Sequence, residues 1–348
     1  MKVYIRSAGN ISPQHSLDKE LFLGHRIAQG GSRMTALEPD YTHFVDAKMI
    51  RRMSRIVKMG VAAAMECLRA GGIQMPEAII TGTAYGCLED TGIFLRRMID
   101  NKEELLSPTA FIQSTHNTVG AQIALLLKCH GYNNTIVHRG FSFENALMDA
   151  RLLLQEGADN ILTGAVDEIT ADSHAILSRF GIYKKEMHGP GIPEDQKKGT
   201  VAGEGASFFL LTHQAQGALA EIRHLETIYK PKHFGDVENR IQQLLLESSL
   251  TIDDVDLVIT GHNGDPAHDE IDIYLSDTIF RNKTTFPFKQ LSGEYPTASG
   301  FALWLTSGLI GGQKAPEWFP AIPLPLKHIL ICNHDLNAHH ALYLISAC

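Results

Sequence analysis

The stretch from Thr135 to Glu168 reads as a strand, a sharp elbow, a helix and a second strand. Thr135 to His138 is short, apolar and β-branched, as a buried strand is. Ala146, Leu147, Ala150, Leu153 and Leu154 then recur at helical spacing, Gly157 stops the helix, and Asn160 to Gly164 is the second strand. A turn of this shape usually carries a nucleophile at its apex. Here the turn is His138-Arg139-Gly140-Phe141-Ser142-Phe143, with Gly140 where the nucleophile belongs. Ser142 is a poor replacement, because it lies two residues past the elbow and would face a helix turn. Cys129 follows the helix ending near Lys128 and reads as an incidental loop thiol. The 17 histidines crowd toward the C-terminus as His328, His334, His339 and His340, beside Cys332. Cys332 and His334 on a strand would share one face, which is tolerable ligand geometry. Their spacing matches no closed zinc pattern, so a polar strand is the better reading.

The elements that must position these groups repeat. Ala78-Ile79-Ile80-Thr81-Gly82 is echoed by Leu257-Val258-Ile259-Thr260-Gly261, and Thr118-Val119-Gly120-Ala121 by Thr297-Ala298-Ser299-Gly300, each at an offset of 179 residues. Asn134 to His138 has a further counterpart in His328 to Cys332. Strands alternating with helices in two similar halves imply mostly parallel sheets with helical crossovers. The halves are expected at 1–213 and 214–348, with Gln214 to Ala220 as the crossing linker. With 44% hydrophobic and 20% charged residues the chain is globular with ample core, and its net charge of -8 argues against non-specific nucleic-acid binding. Five cysteines without a disulfide-framework spacing suggest reduced thiols. MKVYIRSAGN enters a strand at once and no apolar run is long enough to span a membrane, so a cytoplasmic protein is expected.

The elbow, together with several other motifs, resembles the β-ketoacyl synthases, thiolase-like condensing enzymes that extend acyl chains on acyl carrier protein. Their elbow reads roughly T-A-C-x-S-G. Ser142 matches it, and Gly140 lies under the cysteine. Gly199 to Ala206 closely matches the family's G-x-x-x-G-E-G-A, and Gly157-Ala158-Asp159 and Gly164 to Glu168 match its G-A-D and G-G-x-D/E pair. The resemblance extends over nearly the whole chain. It implies an α/β, thiolase-like fold of two pseudo-duplicated βα halves forming a five-layer αβαβα sandwich. Gly203, Glu204 and Gly205 are expected to support the fold, with Glu204 bonding loop amides.

For the chemistry, the family needs a thiolate at a helix N-terminus, two imidazoles that stabilise an enolate oxygen, and an oxyanion hole. Its first histidine, in H-G-T-x-T-P-x-x-D, aligns with His262, and Pro266 and Asp269 follow after a one-residue deletion. Its second, in K-S-x-x-G-H-x-x-G-A-x-G, aligns with Glu294, while Lys289, Gly293, Ala298 and Gly300 agree. A carboxylate there would repel an enolate unless burial keeps it protonated. The glycine-rich gate loop is replaced by Asn333-His334-Asp335-Leu336-Asn337-Ala338. Gly140 (as a vacant nucleophile position), His262, Glu294 and Lys289 are therefore the expected site. Phe141, Ser142, Phe143, Asp335 and Leu336 are expected to contact the acyl substrate, the two phenylalanines reshaping or plugging its tunnel.

The resemblance thus implies a non-catalytic, chain-length-factor-like subunit, since losing a nucleophile removes on the order of 10⁶ in rate where catalytic groups act as a unit. Its implied partners are acyl carrier protein and an active synthase subunit or a second copy, joined through the strand before the elbow. No cofactor or metal is implied. The alternative is altered chemistry (acyl transfer, thioester hydrolysis or malonyl decarboxylation) using His262 and Glu294.

Overall fold

The computed structural model describes residues 2–17, 22–27, 30–185 and 198–348. Ten strands are formed: β1 (Val3–Ile11), β2 (Ala78–Gly82), β3 (Tyr132–Ile136), β4 (Ile161–Asp167), β5 (Gly205–Thr212), β6 (Ala220–Tyr229), β7 (Leu257–Thr260), β8 (Thr285–Pro287), β9 (His328–Asp335) and β10 (His339–Ser346). Their hydrogen-bonded order is β3-β2-β4-β5-β1-β6-β10-β9-β7-β8. The order is a palindrome of roles. β2 runs parallel to β3 and β4, β4 antiparallel to β5, and β5 antiparallel to β1. β7 likewise runs parallel to β8 and β9, β9 antiparallel to β10, and β10 antiparallel to β6. A short β1–β6 ladder joins the two sets.

Helices complete five layers. Arg55–Gly71 and Thr118–Leu127 cover the outer face of the first sheet, and Phe234–Glu247 and Glu270–Asp277 cover that of the second. Ser142–Gln155 and Ser299–Ile310 lie between the sheets. The Ser299–Ile310 helix is apolar almost all round, as a helix with neighbours on every side must be. Arg55–Gly71 instead buries one broad face, then stops at Gly72, whose φ of 68° closes the left-handed cap.

This topology corrects two of the three repeat matches. Ile80 and Ile259 do occupy corresponding strands, β2 and β7. Thr118, however, opens the helix before the terminal strand β3, whereas Thr297 precedes the helix after the terminal strand β8. Asn134 lies on β3, whose counterpart is β8, while His328 opens β9, the counterpart of β4. Small residues at a helix start and short β-branched runs in strands recur wherever helices pack on sheets, so those two matches reflect shared packing and not shared position. The twofold repetition rests on strand order.

Candidate functional site

The predicted elbow is present. β3 ends at Ile136, a single 3₁₀ turn covers Arg139–Phe141, and the helix begins at Ser142. The backbone strain falls on Arg139, with φ of 48°, and not on Gly140. Ser142 locks the turn: its Oγ donates to the Arg139 carbonyl and accepts from the His138 amide, both at 2.8 Å. That use, with full burial, leaves it no role as a nucleophile. Phe141 packs edge-on against His339 at 4.8 Å between centroids, and Phe143 is buried against Phe209 at 5.6 Å.

Gly140 is glycine for a steric reason. A Cβ built there would lie 2.6 Å from Asp335 Oδ2 and 2.7 Å from Asp335 Cβ. The buried side chain of Asp335, at the end of β9, therefore occupies the space a nucleophile would need. Behind it, β9 turns straight into β10 through a tight hairpin at Leu336 and Asn337, with φ of 52° and 51°.

Contacts continue from there to the second-half residues. Lys289 Nζ donates to Glu294 Oε2 at 2.7 Å and to the main-chain carbonyl of His334. Asn263 Nδ2 donates to the same Glu294 oxygen at 2.6 Å. Glu294, Lys289 and Asp335 are all buried. Burial pushes the Glu294 carboxyl up, against the pull of Lys289, and pushes Asp335 up to about 6. His262, next to Asn263, stands apart: its side chain is 45% exposed and its Nε2 turns to Asp269 at 3.3 Å. The structure thus links Gly140, Asp335, Lys289 and Glu294 through one packed polar cluster, with His262 at its margin.

Other buried acids hold the frame. Glu204 accepts from the amides of Ala36 (2.8 Å) and Ile169 (3.0 Å) and pairs with Arg55 at 2.7 Å, the structural role read from its motif. Asp167 takes the Thr83 and Thr297 hydroxyls at 2.9 and 2.8 Å, tying the two halves together. Glu144, which the sequence did not single out, accepts from Ser299 and Tyr343 at 2.6 and 2.7 Å. Burial raises its carboxyl to about 7. Because the native state holds that proton more tightly, stability falls as pH rises from the ordinary carboxyl range toward about 7. The loss above that window is about 3 kcal/mol, from about 1.36 kcal/mol per pKa unit. Glu144→Gln should lack this decline, so its melting temperature relative to the parent should rise between pH 5 and pH 8. Parallel melting curves across that range would refute the assignment.

Residues 28–179 match the family described as beta-ketoacyl synthase, N-terminal domain. The 3-oxoacyl-[acyl-carrier-protein] synthase 2 of Synechocystis sp. is 26% identical over 195 residues, 52% of this chain and 46% of that protein. The enzyme of the same name from Staphylococcus aureus is 22% identical over 191 residues, 50% of this chain and 47% of that protein. The alignment spans about half the length of these curated relatives. Among solved structures, a β-ketoacyl synthase from Burkholderia phymatum superposes with a TM-score of 0.77 at 14% identity, and the ishigamide ketosynthase/chain length factor with 0.75 at 16%. A type II PKS ketosynthase in complex with its acyl-carrier protein gives 0.76 at 14%. Each superposition covers 100% of this chain and 99% of the other. The fold is therefore thiolase-like, and the chain is similar to the β-ketoacyl synthases over residues 28–179.

Proposed function

We propose that this chain is a non-catalytic, chain-length-factor-like subunit that acts with an active β-ketoacyl synthase on substrates carried by acyl carrier protein, in the cytoplasm. Residues 1–213 and 214–348 are its two synthase-like halves. The observation that carries the reading is Asp335 in the side-chain space of Gly140. The elbow lacks a nucleophile, and its neighbours are packed for that lack. Association is supported by β3, which ends the strand order and leaves one edge unpaired among the described strands. Exposed apolar side chains flank that edge: Leu125, Tyr132, Val137 and Leu152. Val137→Asp should weaken self-association at least about tenfold, because a twofold interface brings like charges together. Light scattering across a dilution series reads this directly, and an unchanged dimer would remove β3 from the interface.

Altered catalysis is the second reading, supported by the buried carboxyls Glu294 and Asp335, which burial holds toward the protonated form beside the elbow. Incubation with acyl and malonyl carrier protein, followed by intact-mass and product analysis, separates the two. The subunit reading expects neither adduct nor product from the chain alone. A stable acyl adduct on Ser142 or Cys129, or condensation without another synthase, overturns it. Hydrolysis or decarboxylation that disappears in both His262→Ala and Glu294→Ala establishes the second reading.

A further inference from the structure

A second group of chemistry-bearing side chains lies beside the Gly140 cluster, where the loop after β7 and the Glu270–Asp277 helix meet β9. His262 Nε2 is 3.3 Å from Asp269 Oδ2. His334 Nε2 is 3.1 Å from Asp272 Oδ2 and 3.9 Å from Asp269 Oδ1. Ligand atoms of His262, Asp269 and Asp272 all lie within 4.8 Å of one another. Asp269 immediately precedes the helix and Asp272 follows three residues later, so both carboxylates project to one side. His334 reaches them from the strand face it shares with Cys332.

Two observations beyond proximity point to a cation. The His334 ring is 98% buried and aims Nε2 at these two carboxylates. The surroundings are short of positive charge. Asp269, Asp272, Glu294 and Asp335 are all buried, whereas Lys289 is the one buried lysine or arginine among the described residues.

We propose that His262, Asp269, Asp272 and His334 form a binding site for a divalent transition-metal ion of zinc's class. Two imidazoles and two carboxylates suit such an ion, and tetrahedral bonds of about 2.0–2.1 Å place ligand atoms about 3.3 Å apart. The His262–Asp269, His334–Asp272 and His334–Asp269 separations are 3.3, 3.1 and 3.9 Å, the two histidines facing different oxygens of Asp269. The Asn263 and Gly264 amides already orient the Asp269 carboxylate, at 2.8 and 2.7 Å, as outer hydrogen bonds orient metal ligands. Half-exposed His262 supplies the entry route. This site depends neither on acyl chemistry nor on a partner subunit.

The test uses the full chain stripped with chelator, titrated with Zn²⁺ by calorimetry and with Co²⁺ by visible absorption. One ion per chain is expected, with the intense visible bands of a tetrahedral cobalt site. Asp272→Asn and His262→Ala should each weaken zinc binding by at least about tenfold, since even outer-shell changes have effects of that size. If Asp272→Asn does not fold, exposed His262→Ala still decides: zinc should raise the melting temperature of the parent and leave this variant's unchanged. Absence of stoichiometric binding, or binding that survives His262→Ala undiminished, overturns the site.

Discussion

Gly140→Cys is expected to destabilise the protein and still leave it unacylated. The new Cβ would meet three Asp335 atoms within 3.0 Å, and forcing extra atoms into a packed site costs about 1–3 kcal/mol. The Asp335 charge would also oppose thiolate formation, against the effect of the helix N-terminus. Pairing the change with Asp335→Ala should recover most of the lost stability by removing the obstructing carboxyl. Urea denaturation of the parent and the two variants gives the energies, and intact mass after incubation with acyl carrier protein gives the reactivity. A single Gly140→Cys variant as stable as the parent and rapidly acylated would show that Asp335 does not fill the site.

Lys289→Met should produce the largest loss, about 3–5 kcal/mol, because it strands the buried Glu294 carboxylate without its cation. The loss should depend on pH in a definite direction. Without Lys289 the folded state favours protonated Glu294 still more, so the variant keeps stability at low pH and loses it as pH rises. Denaturation at pH 5 and pH 8 checks this. Adding Glu294→Gln to Lys289→Met removes the stranded charge and should restore much of the stability. Purely additive effects of the two substitutions would mean that the ion pair contributes little and that Asn263 alone satisfies Glu294.

Local order was readable wherever one physical cause dominates. The β-branched runs at Ala78 and Leu257 are buried strands because both faces are covered by helices, which suppresses alternation. The helix after the elbow declared itself by its apolar spacing, and Glu204 by the flanking Gly203 and Gly205 that turn the backbone tightly into a strand. The repeat signal failed at Thr118 and at Asn134 because short patterns report packing needs common to many helices and strands. Asp272 carried a usable signal: it lies three residues after Asp269, one helical turn along the same face.

By itself the sequence determined the strand-elbow-helix unit and the missing nucleophile at Gly140, because each depends on residues close along the chain. Only the tertiary structure decided what fills the vacancy and what meets at its edge. Asp335 reaches Gly140 from a hairpin 195 residues away, and His334 meets Asp269 and Asp272 because β9 lies beside β7. Those contacts follow from strand order, which is set by burial of whole sheets and helices and leaves no periodicity in the residues it brings together.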